Sequence, residues 1–163
     1  LIATVLAVCW ARRKSSASGI LPEDKLDRRA VMTSLYANLD KARPYVLSII
    51  RIIVALLFME HGLQKFFAFP SAGPADMTPL LYIQGVIEIV GGILILIGLF
   101  TRPVAFILCG DMAVAYFMAH FPRSFFPAAN FGDSAVLYCF IFLYMVFAGP
   151  GRWSVDHATG MEK

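Results

Sequence analysis

Four apolar stretches, about Tyr45–Phe69, Leu80–Phe100, Val104–Phe121 and Phe131–Ala148, occupy most of this chain. Each is close to the length of roughly 20 residues that an α-helix needs to cross a hydrocarbon core about 30 Å thick. Hydrocarbon offers no water to a backbone N–H or C=O, so a helix that satisfies its own polar groups is the structure such a segment adopts. The fold class expected is therefore all-α, a four-helix transmembrane bundle. Composition agrees, with 59% hydrophobic and 15% charged residues and a mean hydropathy of +0.71. Soluble domains carry about 25% charged residues.

The breaks between stretches are strong. Pro44 precedes the first and suits a helix start. Pro70–Pro79 contains three prolines, Gly73 and Asp76 and reads as a loop. Thr101-Arg102-Pro103 is a tight connection that makes spans two and three antiparallel neighbours. Pro122–Asn130, with Arg123 and Pro127, is the next loop, and Gly149-Pro150-Gly151 stops the fourth helix. The short amphipathic tail after it places Trp153 where an interfacial aromatic would sit.

Charge sets the orientation. Residues 1–44 hold eight of the fourteen basic residues, and Arg102, Arg152 and Lys163 fall on the same side, against Lys65 and Arg123 on the other. Positive-inside logic then places the N and C termini in the cytoplasm, with the protein multi-pass in the membrane. The net charge of +3 belongs to this flank, which excludes nucleic acid as a partner. Residues 1–44 read as a polar, basic tail. Leu1–Ala11 is too short to span and is followed, not preceded, by Arg12-Arg13-Lys14, unlike a secretory signal. No methionine precedes Met32, so residues 1–31 are either the product of an upstream start assignment or a genuine cytoplasmic tail. Cys9, Cys109 and Cys139 form no close pair in sequence, and the latter two are expected as small buried hydrophobes in separate spans.

Inside the apolar stretches lie Glu60, Glu88, Asp111 and Asp133. An ionised carboxylate at mid-membrane costs on the order of 3 kcal/mol even on the lenient insertion scale, so such residues face a bundle interior, pair, or carry protons. At about 1.5 Å per residue, Glu88 and Asp111 fall near the midplane, with Glu60, His61, Gln64, Lys65, His120, Asn130 and Asp133 in the outer half. This distribution predicts a cavity opening to the extracytoplasmic side. Glu60 and Gln64, His61 and Lys65, and Gln84 and Glu88 share helix faces at four-residue spacing. Gln84, Gly85, Glu88, Gly91 and Gly92 form one stripe, in which glycines admit a neighbouring backbone and bury Glu88. His120 lies nine positions after Asp111, nominally on the opposite face, so the two need not belong to one site. Glu60 has Lys65 as a candidate ion-pair partner. Asp133, beside Asn130 in the first turn of span four, is expected to be structural, and His157 in the tail is expected to be uninvolved. No metal-ligand spacing occurs.

Residues 51–69 (RIIVALLFMEHGLQKFFAF), 85–121 (GVIEIVGGILILIGLFTRPVAFILCGDMAVAYFMAHF) and 127–156 (PAANFGDSAVLYCFIFLYMVFAGPGRWSVD) closely resemble the DoxX family of small bacterial membrane proteins. The specific elements are HGLQK at 61–65, Glu88 with Gly91-Gly92, GLFTRP at 98–103, the run 112–120, and GPGRWSVD at 149–156. The resemblance makes 45–156 the membrane domain, with 157–163 as a C-terminal tail. Asp133 stands where NGGE-like members have glutamate, and Phe131 replaces their first glycine. The resemblance implies a four-helix bundle and a link to quinone-coupled oxidation or oxidative stress.

Three functions compete. In a membrane subunit of a quinone-linked oxidoreductase, Glu60, His61, Glu88 and Asp111 are the catalytic candidates. His61, Gln64, Lys65, Gln84 and His120 are then the cofactor-binding candidates, with quinone as the cofactor. A small proton-coupled transporter would use the same carboxylates as a relay. A scaffold would hold a soluble redox partner at the membrane and need none of them. A haem between His61 and His120 is disfavoured, because no second histidine pair accompanies them. The candidate partners are the lipid bilayer, a quinone, a protein of a redox complex and a second copy of the chain.

Overall fold

The structure is a computed structural model that describes residues 23–162. The described residues are helical, without a strand among them: α1 Glu23–Phe67, α2 Pro79–Ile97, α3 Thr101–Ala115, α4 Pro127–Asn130, α5 Asp133–Ala148 and α6 Val155–Ala158. A π-helical segment, Tyr116–His120, continues α3. Two compact units are present, one ending at Arg43 and one beginning at Pro44. The expectations for Leu1–Ala11, for Cys9 and for most of the alternative-start segment fall outside the described residues.

Among the described residues, three helices are long and apolar enough to cross a membrane, Ala30–Phe67, Pro79–Ile97 and Thr101–His120, and Asp133–Ala148 is a shorter apolar helix. The first of them does not start after Pro44 as expected; α1 runs through it. A proline inside a helix removes one hydrogen bond and crowds the carbonyl four residues back. Leu35, Ala37, Leu39 and Ala42 are good helix formers on its N-terminal side, so the helical register continues across that single loss.

In the second unit, α3 packs along α5 and, less extensively, on α2. Phe58 of α1, Ile95 of α2, Leu108 of α3, and Phe142 and Met145 of α5 form the centre of the core. Phe58 meets Phe142 edge-to-face at 4.9 Å. The outer faces are apolar as well: Ile83, Val86, Phe106, Ile107, Leu137, Phe140 and Phe147 are all exposed. A surface this apolar around so narrow a core is built for lipid. The glycine stripe of α2 works as expected, with Gly85, Glu88, Gly91, Gly92 and Ile95 buried. On α1, a Cβ at Gly62 would lie 2.6 Å from Ile89 and 3.0 Å from the Gly85 carbonyl, so these two helices touch backbone to backbone. Cys109 and Cys139, expected as unrelated buried residues, are in contact across α3 and α5.

The connection between α2 and α3 is Gly98-Leu99-Phe100; Thr101-Arg102-Pro103 is already the first turn of α3. Gly98 takes a left-handed φ of 71°, and the amides of Gly98 and Leu99 close back on Ile95 and Leu94. The C-terminal segment completes this end. Asp156 accepts the amides of Phe100 and Thr101, each at 2.8 Å, and so caps α3 from more than fifty residues away. Arg51, fully buried, donates to the Ile95, Leu96 and Trp153 carbonyls. Ser48 accepts the Trp153 amide at 2.9 Å, and Arg102 donates to the Val146 and Phe147 carbonyls. The GLFTRP and GPGRWSVD motifs thus meet in one polar knot that ties helix ends together. Sequence reasoning passes over Arg51, whose role is to neutralise the carbonyl end of α2.

Candidate functional site

With those motifs committed to structure, the remaining polar residues gather at the opposite end of the second unit. The close approach at Gly62 and Gly85 brings Lys65, one turn along α1, against Glu88 of α2. Lys65 Nζ donates to Glu88 Oε1 at 2.5 Å and also to Oε2. The side chains are 11% and 2% exposed, so this ion pair is largely shielded. Two charges buried together hold only when geometry and partners are good, and removing one strands the other.

The pair forms one wall of a cavity of about 240 Å³. Its polar lining includes His61, Lys65, Gln84, Glu88, Asp111 and His120, and its apolar lining includes Leu81, Met112, Met118 and Ala135. Asp111 Oδ2 is buried there with no hydrogen-bond partner among the described residues. His61 meets the Tyr138 ring edge-to-face at 5.8 Å.

His120 joins Asp111 in the lining, although a regular helical period puts them nominally on opposite faces. Nine residues on a regular α-helix bring a side chain to the far face. The Phe121 amide instead bonds to the Tyr116 carbonyl at 2.9 Å, an i→i+5 closure that inserts an extra residue into the turn and rotates His120 back. A second device holds it there. His120 Nδ1 lies 3.1 Å from the Asn130 carbonyl, and its ring stacks on Tyr116. Asn130 is itself fixed, accepting the Gly132 amide and donating to the Ser124 carbonyl.

Two of the expected site residues are elsewhere. Glu60 is exposed on α1 and outside the lining, and Lys65 faces Glu88 rather than it. Gln64 bonds to Ser71 Oγ at 2.6 Å in the following loop. Asp133 sits exposed in the first turn of α5, without a side-chain cap bond. Tyr138 and Ser134 line the cavity and were not singled out from sequence. Their spacing of four in an otherwise apolar helix is the signal that marks them as one face.

The DoxX family model matches residues 46–121. An uncharacterized protein of Haemophilus influenzae is 49% identical over 127 residues, covering 74% of this chain and 95% of its own length. A membrane protein of Mycobacterium tuberculosis is 35% identical over 66% of this chain and 77% of its own. The inner membrane protein YphA of Escherichia coli is 31% identical over 76% of this chain and 97% of its own. No solved structure matches. These relatives agree with the apolar helices in making this a multi-pass protein of the bacterial inner membrane, and the chain belongs to the DoxX family.

Proposed function

We propose that this DoxX protein is the membrane subunit of a quinone-linked oxidoreductase and that its cavity receives the quinone headgroup. The observation that carries the reading is an apolar cavity with a buried ion pair and an unpartnered carboxylate oxygen converging on it. An apolar cavity of about 150 Å³ already accepts benzene, so about 240 Å³ suits a substituted six-membered ring. When bound, a quinone supplies a two-electron, two-proton acceptor. The residues fit that need: Gln84 and His61 offer N–H donors for carbonyl oxygens, His120 lines the same cavity with its Nδ1 engaged by the Asn130 carbonyl, and Asp111 can hold and hand on a proton. Glu88 and Lys65, paired with each other, form the fixed polar wall. The apolar lining excludes water from the ring.

The topology that goes with this reading has four spans and cytoplasmic termini. Asp133–Ala148 rises about 24 Å, and the flanking aromatics Phe131 and Trp153 extend it to the interfaces. The cavity then faces the extracytoplasmic side, away from the Arg51 knot.

Purification in mild detergent followed by mass spectrometry of extracted lipids tests the proposal. A quinone retained by the wild type and lost from Asp111→Leu supports it. Absence of quinone, with normal quinone-dependent respiration in a deletion strain, contradicts it. The buried Lys65–Glu88 pair beside a free Asp111 is also the arrangement of a proton-coupled transporter. Proteoliposome flux without an electron acceptor would favour that second reading.

A further inference from the structure

Cys109 of α3 and Cys139 of α5 face each other with their sulfurs 3.6 Å apart, and both are free thiols. They lie at one depth: Cys109 is about 12 Å along α3 from Thr101, and Cys139 about 14 Å from Ala148 at the same end of α5. Each is one helical turn from a residue of the cavity wall, Cys109 from Met112 and Cys139 from Ala135. Both pack against the buried core. A disulfide needs sulfurs about 2.05 Å apart, so a closing movement of about 1.5 Å separates this contact from a covalent bond. α3 and α5 pack extensively along each other, which keeps the two sulfurs together.

We propose that Cys109 and Cys139 are a reversible dithiol–disulfide couple that staples α3 to α5, with a bilayer-soluble quinone as oxidant. The location selects the co-reactant, since hydrophilic thiols and oxidants do not dissolve at this depth. Both S–H bonds break, one S–S bond forms, and the two electrons and two protons released convert one quinone to hydroquinone. Closure fixes the register of the two helices beneath the cavity wall. This holds whatever occupies the cavity.

The test uses the full chain carrying Cys9→Ser, reduced, in lipid vesicles and without oxygen. A short-chain quinone is added, and the protein is then denatured, alkylated and weighed. The expected product is a monomer about 2 Da lighter with no alkyl adduct, one hydroquinone formed per chain, and two adducts recovered after dithiothreitol. Cys109→Ser and Cys139→Ser variants should each take one adduct and form no hydroquinone. Two adducts on the quinone-treated chain, even where diamide closes the bond, would overturn the proposal. So would disulfides found only between chains.

Discussion

The Lys65–Glu88 pair is the residue-level feature on which the site depends, because neither charge is tolerable alone at 11% and 2% exposure. Lys65→Met strands a buried carboxylate, and a loss of about 3–5 kcal/mol is expected, measured as a lower thermal midpoint in detergent. Adding Glu88→Leu should return most of that stability, since an apolar pair of similar volume is often neutral or better. A double variant no more stable than the single one would show that the pair is not buried as described. Phe131 is a second residue with a clear expectation. Its φ of 59° is left-handed, which costs an L-residue roughly 1–2 kcal/mol. Phe131→Gly, the glycine of NGGE-like relatives, should raise stability by about 1 kcal/mol. An unchanged or lowered midpoint would mean that the phenyl ring contributes more as an interfacial anchor than the backbone loses.

Between elements, the connections carry more of the structure than the sequence pattern discloses. Asp156 caps α3 through two amides at 2.8 Å, and Asp156→Ala should cost about 1–2 kcal/mol. Hydrogen exchange at Phe100 and Thr101 should quicken while α5 keeps its protection; unchanged exchange at those amides would rule the cap out. The glycine stripe around Glu88 is legible in sequence because it is a helical period within one element. The pairing of Lys65 with Glu88 and the contact of Cys109 with Cys139 are not, because each joins two elements whose relative register no local pattern encodes. His120 is misplaced by a regular period because the i→i+5 closure at Tyr116 breaks the phase. Pro44 and Thr101-Arg102-Pro103 mislead in the same way. Local breaker signals are outweighed by helix formers on one side and by Gly98 with Asp156 on the other.

At the largest scale, the second unit separates its two ends. One is closed by Arg51, Asp156 and the C-terminal segment, and the other opens onto the polar cavity. Bilayer-length stretches make the helical membrane fold readable from sequence, since hydrocarbon leaves few choices. The position of the cavity is not readable in the same way, because its lining comes from four helices whose mutual register no local pattern encodes. On the proposed topology, cysteines introduced at Ala72 and Ala128 should react with an impermeant thiol reagent from outside intact spheroplasts, and one at Thr159 should not. Labelling of Thr159→Cys under those conditions would reverse the orientation. Above all, the cavity should bind a quinone headgroup through the residues that line it and not through those outside. Equilibrium titration of a short-chain quinone into the purified protein should give saturable binding, unchanged in Glu60→Gln and about tenfold weaker in Asp111→Leu, the loss expected when a carboxyl O–H that donates to a quinone carbonyl is removed. Binding that fails to saturate, or that Glu60→Gln weakens as much as Asp111→Leu, would contradict it.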